Sequence, residues 1–129
     1  MESIKQLRVR LRLTTSKGIV MGPGRADLLT LIARTGSIAA AGRQMKMSYR
    51  RAWTLVESMN TSFTSPLVET SKGGAERGGA RLTRLGETLL AAYRDLETLT
   101  RHDGAPQLTL FDSVLADPTT TNQTNEPEP

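Results

Sequence analysis

The sequence has no cysteine and only one histidine, His102, among its 129 residues. It therefore forms no disulfide, has no thiolate to bind a metal, and lacks the histidines of a metal cluster or a catalytic triad. No apolar run approaches the roughly 18 residues that cross a membrane, and the first residues lack the apolar stretch of a secretory signal. We expect a cytoplasmic protein with no catalytic activity, no metal, no cofactor and no membrane partner.

Acidic residues are missing from the middle of the chain. Between Leu28 and Val56 there is no Asp or Glu, whereas five basic residues occur there, namely Arg34, Arg43, Lys46, Arg50 and Arg51. Residues 1–103 carry a formal charge of +8, and residues 104–129 carry −4. A basic body of this kind indicates a polyanionic partner, either nucleic acid or an anionic surface.

Alternating apolar residues open the chain. From Leu7 to Leu13 every second residue is apolar and the others are arginine, which is the period of a half-buried strand. Thr14 to Gly18 suit a turn, and the apolar residues 19–21 suit a short returning strand. The sequence thus predicts an N-terminal β-hairpin.

Three helical segments follow the hairpin. Helical spacing predicts them at Pro23–Thr35, Ile38–Gln44 and about Ser48 to Asn60, with Ser37 and Ser48 as N-caps. Residues 45–47 then form a tight turn, and Asn60 is expected to end the third helix. The stripe of the third helix that we expect to be buried is Ala52, Trp53, Val56 and Met59.

A second hairpin and a long helix complete the pattern. Strands are predicted at Leu67–Thr70 and Ala80–Leu82, on either side of a Gly-rich loop, Lys72–Gly79. A final helix is predicted from Thr83 to His102, with apolar residues spaced alternately by three and four. This seam is expected either to join two subunits or to close the core of one. Its dimerisation residues would be Leu85, Leu89, Ala92, Leu96 and Leu99.

Two helices joined by a three-residue turn are the pattern of a helix-turn-helix, and the flanking helix and Gly-tipped hairpin give the order of a winged helix. We predict an α+β, mainly α fold, namely a winged helix-turn-helix with an N-terminal β-hairpin and a long C-terminal dimerisation helix. Residues 1–103 would form this DNA-binding and dimerisation domain. Residues 104–129 would form an acidic, largely disordered tail.

Candidate contacts to double-stranded DNA cluster at the start of the third helix and on the Gly-rich loop. Arg50 and Arg51 are expected to read bases, because arginine makes bidentate hydrogen bonds to guanine worth about 1–3 kcal/mol of discrimination. Ser48 suits a phosphate, and Tyr49 suits either a phosphate or a sugar. The predicted DNA-binding residues are Ser37, Lys46, Ser48, Tyr49, Arg50, Arg51, Thr54, Lys72, Arg77 and Arg81.

Several of these segments resemble known regulators. Residues 36–48, Gly-Ser-Ile-Ala-Ala-Ala-Gly-Arg-Gln-Met-Lys-Met-Ser, resemble the helix-turn-helix of LysR-type regulators. The continuation through Met47–Trp53, Pro66–Glu69, the paired glycines and Leu82–Gly86 resembles the N-terminal DNA-binding domain of ModE-type molybdate-responsive regulators. The resemblance covers about residues 7–99. It implies a transcriptional regulator that dimerises through its first strand region and its long last helix.

In full-length members of that family, paired Mop-type domains with a Ser-Ala-Arg-Asn-like signature hold molybdate. The 129 residues contain no such signature, so we expect this chain to lack the molybdate-binding Mop domains. Molybdate is then a possible partner by family name only. The two-fold symmetry of a homodimer would match a palindromic operator.

Two other functions stay open on the sequence alone. One is a small molybdate- or oxyanion-binding or sensing module, which would use the Gly-rich loop or the Thr-rich tail as an anion nest. The other is a protein-interaction partner whose helix pair docks another regulator.

Overall fold

The structure is a computed structural model that describes residues 7–71 and 79–116. Within these ranges the chain forms two compact units, one made of residues 10–97 and the other of residues 7–9 with 98–116. The elements are, in order, β1 (Leu13–Thr15), β2 (Gly18–Met21), α1 (Pro23–Thr35), α2 (Ile38–Gln44), α3 (Tyr49–Ser62), β3 (Val68–Ser71), β4 (Gly79–Leu82), α4 (Arg84–Asp103) and α5 (Ala105–Ser113).

The N-terminal hairpin is present, but its first strand is displaced. The prediction of a strand from Leu7 to Leu13 was wrong, because β1 begins only at Leu13 and pairs antiparallel with β2. Residues 7–12 still alternate between half-buried and exposed side chains. The alternating sequence pattern therefore indicated which side chains of this segment are covered. It did not indicate whether a second strand hydrogen-bonds to its backbone.

The three central helices begin and end close to the predicted residues. Ser37 caps α2 by accepting the Ala40 N–H at 3.0 Å, and Ser48 caps α3 by accepting the Arg51 N–H at 3.0 Å. In the turn between them, the Met47 N–H donates to the Gly42 carbonyl at 3.0 Å. A Cβ at position 42 would lie 3.0 Å from the Cβ of Ala52, so the glycine permits the close packing of α2 on α3.

A single apolar core fills the unit formed by residues 10–97. Helix α1 contributes its whole inner stripe, and α2, α3, β3, β4 and α4 cover it. Burial of this stripe explains why amphipathic spacing located the helices so well. The fully buried large side chains are Tyr93, Leu28, Leu29, Ile32, Met59, Leu67 and Val56.

Strands β3 and β4 form the second hairpin, which is fixed to the helices at two points. The Ala80 N–H donates to the Gly36 carbonyl at 2.9 Å, which joins β4 to the end of α1. Asn60 accepts the N–H groups of Leu67 and Val68 at 2.8 and 3.0 Å and donates to the Val68 carbonyl at 3.0 Å. The prediction that Asn60 ends α3 was wrong, since the helix continues to Ser62.

Helix α4 is held against the core of the first unit at its start and middle. Gly86 packs directly on the Leu67 carbonyl, where a Cβ would lie 2.2 Å from the oxygen. Tyr93 is buried, and its hydroxyl donates to the Leu11 carbonyl at 2.8 Å. The guanidinium of Arg94 bonds Asp27 on α1 at 3.0 Å. These contacts use a face of α4 next to the predicted seam.

Helix α5 lies in the segment predicted to be a largely disordered tail, and the sequence analysis predicted no helix over residues 105–113. The helix buries no residue, and Leu110 and Phe111 are both exposed. It lacks an apolar stripe, and the signal on which the other helix predictions relied is therefore absent. Residues 117–129 of the tail lie outside the described residues.

None of the helices in the described ranges combines the length and the apolar character needed to cross a membrane. The same ranges contain no group of three or more His, Cys, Asp or Glu side chains suited to a metal ion.

Candidate nucleic-acid interface

The start of α3 presents half of the predicted DNA-binding side chains to solvent. The helix buries Ala52, Val56 and Met59, so the side chains at the opposite positions point outward. Ser48, Tyr49, Arg50, Arg51 and Thr54 are all exposed. The structure therefore brings these five residues together at one end of one helix.

A shallow concavity with mixed chemistry runs from the outermost positions of α3 onto one of its flanks. It is lined by Tyr49, Arg50, Trp53, Thr54 and Glu57. The Thr54 hydroxyl donates to the Arg50 carbonyl at 3.0 Å, which leaves its oxygen available only as an acceptor. Arg50 thus offers donors beside an acceptor and an acidic side chain, a combination able to distinguish base edges.

Trp53 belongs to this surface and not to the buried stripe. It is half-buried, and its indole N–H donates to the Tyr49 hydroxyl. The two rings meet edge to face, with centroids 6.4 Å apart and planes at 88°. The prediction that Trp53 is buried was therefore wrong in degree. The sequence analysis did not predict this pair, although the spacing of four between Tyr49 and Trp53 is a signal that could have indicated it.

A basic flank lies on the other side of α3, where Arg51 approaches Arg25 of α1. Burial, followed by the positive charge of Arg51, lowers the pKa of Arg25. One terminal nitrogen of Arg25 donates to the Ser58 hydroxyl at 3.2 Å, while its buried Nε has no hydrogen-bond partner among the described residues. Sequence reasoning missed Arg25, because only the packing of α1 on α3 brings it here.

The remaining basic residues of the acid-free stretch are exposed as well. Arg34, Arg43 and Lys46 all face solvent, and Lys46 occupies a left-handed conformation in the turn, with φ of 59°. Within the described ranges, no ion pair involves these residues, Arg50 or Arg51. Ser37 is half-buried, and its oxygen is used in capping α2.

The second hairpin contributes less free charge than the sequence suggested. Arg81 lies opposite Glu69 in the β3–β4 register, and two of its nitrogens bond one Glu69 oxygen at 2.9 and 2.8 Å. Its charge is therefore largely compensated, although it remains exposed. Lys72 and Arg77, the other predicted contacts of this hairpin, lie outside the described residues. So do residues 72–78 of the loop and the Thr-rich tail, where an oxyanion nest was considered.

The predicted seam of α4 becomes more exposed towards the C-terminus of the helix. Leu85 and Leu89 are half-buried against the core, whereas Ala92 is exposed, and Leu96 and Leu99 are 39% and 53% exposed. The buried residues of α4 are Gly86 and Tyr93, which lie outside the seam. The exposed fraction of the seam residues therefore rises along α4.

These elements form a winged helix-turn-helix fold, and the comparison with solved structures agrees. Full-length CbnR in complex with its target DNA matches with a TM-score of 0.51 and 20% identity, over 65% of this chain and 27% of that chain. No family model matches the sequence.

Among curated proteins, the sequence is similar to regulators and molybdenum-binding proteins. It is 48% identical to the molybdenum-pterin-binding protein MopB of Rhodobacter capsulatus over 62% of this chain and 30% of that protein. It is 39% identical to the molybdenum transport protein ModE of Azotobacter vinelandii, over 68% and 33%. It is 35% identical to the transcriptional regulator ModE of Haemophilus influenzae, over 77% and 39%. The chain thus spans about a third of the length of the curated relatives it matches.

Proposed function

We propose that this chain is a sequence-specific DNA-binding transcriptional regulator of the ModE type, which binds a palindromic operator as a homodimer. The observation that carries the proposal is the exposed cationic end of α3, where Arg50 and Arg51 form no ion pair in the described ranges. Cations outside ion pairs at the start of the second helix of a helix-turn-helix complement the negative charge of a duplex groove. The names of the relatives and the DNA-bound structural neighbour support the same class of function.

We assign different tasks to the two arginines because they lie on different faces of α3. Arg50 is exposed at an outermost position of α3, opposite its buried stripe. This side of the helix would meet base edges in a major groove, and we assign Arg50 to base recognition. Arg51 lies beside Arg25 on a flank, and flanks of an inserted helix face the sugar-phosphate walls. We therefore assign Arg51 and Arg25 to phosphate contacts.

The homodimer is proposed from the exposure of the α4 seam. Leu96 and Leu99 project from α4 at heptad spacing and are substantially exposed, and paired helices bury such residues between them. In a two-fold dimer the two copies of α3 would enter successive major grooves, with centres about 34–36 Å apart. The operator would then contain two inverted half-sites with that spacing.

Selection of bound sequences from a random duplex pool, followed by fluorescence anisotropy on the selected site, tests the proposal. We expect enrichment of an inverted repeat and much tighter binding to it than to random duplex, with an affinity that falls steeply as salt rises. Light scattering at micromolar concentration should give the mass of a dimer. No enrichment of any sequence contradicts specific regulation, and a monomeric mass contradicts the assembly.

A further inference from the structure

We propose that Trp53 is a positioning residue, which holds the Tyr49 hydroxyl as an uncharged hydrogen-bond donor to a backbone phosphate of the bound duplex. The inference rests on the proposed DNA-binding function and adds to it a contact that carries no charge. It follows from the hydrogen bond between the two side chains and from their place on α3.

The hydrogen-bonding chemistry of the pair determines the role that is left to Tyr49. An indole nitrogen can only donate, whereas a phenol oxygen both donates and accepts. Because Trp53 donates to the Tyr49 oxygen, the phenol proton must find a different acceptor. No acceptor within the described residues takes it, and Tyr49 is 54% exposed. Tyr49 therefore presents a proton to solvent or to a ligand.

The bond from Trp53 also strengthens this donor and fixes its direction. Donation to a hydroxyl oxygen polarises its O–H bond, so chained hydrogen bonds reinforce one another. The edge-to-face contact restrains both rings, which lowers the entropy lost when the hydroxyl meets its acceptor. Without Trp53 the tyrosine would be a mobile side chain at the end of a helix.

The position of the pair favours a phosphate over a base as the acceptor. Tyr49 and Trp53 lie on one flank of α3, whereas Arg50 and Thr54 occupy the outermost positions. Asn60 lies on the same flank and bonds to β3, so this flank faces the second hairpin. A recognition helix presents its outermost side to base edges and its flanks to the backbone.

A double-mutant cycle with Tyr49→Phe, Trp53→Phe and the double variant tests this on the selected operator and on random duplex. A hydrogen bond to a charged acceptor predicts that Tyr49→Phe weakens binding by about 10- to 100-fold. Trp53→Phe should produce much of the same loss, and the double variant no more than Tyr49→Phe alone. Because no charge is removed, the salt dependence of affinity should be unchanged, and the loss should be equal on both duplexes.

Wild-type affinity in Trp53→Phe, additive losses, or a loss confined to one base pair of the operator would overturn the assignment. The indole N–H resonance provides a measurement without DNA, and Trp53 is the only tryptophan in the chain. Tyr49→Phe should shift this resonance in the free protein, and an unchanged resonance refutes the pairing whether or not the chain binds DNA. If Trp53→Phe fails to fold, the indole N–H resonance of the wild-type protein is followed during a titration with DNA. Loss of its hydrogen-bonded chemical shift in the complex would show that Trp53 no longer holds Tyr49, which refutes the positioning role.

Absence of any duplex binding by the wild-type protein is a distinct outcome. It contradicts the proposed function and the phosphate contact together, while the resonance shift separately decides whether the two side chains are bonded.

Discussion

Replacing each of the two arginines at the start of α3 by alanine separates base recognition from backbone attraction. Arg50 occupies an outermost position of α3, so Arg50→Ala should reduce the preference for operator over random duplex by about 5- to 150-fold, the equivalent of 1–3 kcal/mol per bidentate contact. Arg51 lies beside Arg25 on the flank. Arg51→Ala should leave one phosphate without its neutralising charge. The slope of log affinity against log salt concentration should then decrease in magnitude by about 0.9, and affinity at 0.1 M salt should fall by about eightfold.

The assay is fluorescence anisotropy on the operator and on random duplex at several salt concentrations. Arg84→Ala is the matched control, since it removes the same charge from an exposed position on α4. We expect the control to change affinity little and preference not at all. Equal loss of preference in Arg50→Ala and Arg51→Ala would refute the division of tasks. Unchanged affinity in both variants would refute the placement of α3 in the groove.

Three further predictions concern the framework that holds α3. Asn60→Ala should lower the free energy of unfolding in urea by about 1–3 kcal/mol, because it leaves backbone groups of Leu67 and Val68 unpaired. Asn60→Asp should cost less, since both bonds that Asn60 accepts survive. Gly86→Ala should lower the melting temperature strongly, because its Cβ meets a backbone carbonyl, whereas Gly24→Ala, with open space, should be neutral or stabilising. Burial, then Glu97, raises the pKa of Tyr93, so wild-type stability should fall as pH rises above about 10. In unfolding curves at several pH values Tyr93→Phe should be less stable at pH 7 and fall less steeply in alkali.

The helical part of the fold was predictable because its determinants are local. Ser37 and Ser48 are caps that act within one turn, and the stripe of α1 is repeated often enough to give the helical period. The first strand was misplaced because pairing depends on a partner that alternation does not identify. The prediction that Asn60 ends α3 failed for a similar reason. Its side chain makes three hydrogen bonds to residues seven and eight positions away, which local spacing does not reveal.

The exposed residues of the candidate site were predictable from the sequence, but the contacts between its charged side chains were not. Helical phase alone placed Tyr49, Arg50, Arg51 and Thr54 on the outside of α3, and the structure agrees. It did not show that Glu69 compensates Arg81, because that pair depends on the β3–β4 register. Nor did it show Arg25, which reaches the site only through tertiary packing. Counting charges along the sequence therefore overestimated the uncompensated charge of the second hairpin. It also underestimated the positive charge beside α3, to which Arg25 of another helix contributes.

The approach of Arg25 to Arg51 is unfavourable in the free protein, and this cost bears on function. Burial and the neighbouring positive charge both oppose ionisation of Arg25, as its lowered pKa shows. The group nevertheless stays charged at neutral pH, since an arginine does not lose its proton there. An anion that contacts both guanidinium groups would offset their repulsion. Relief of this repulsion would then contribute to the affinity for a phosphate. An arrangement that destabilises the free protein is therefore consistent with a polyanionic partner.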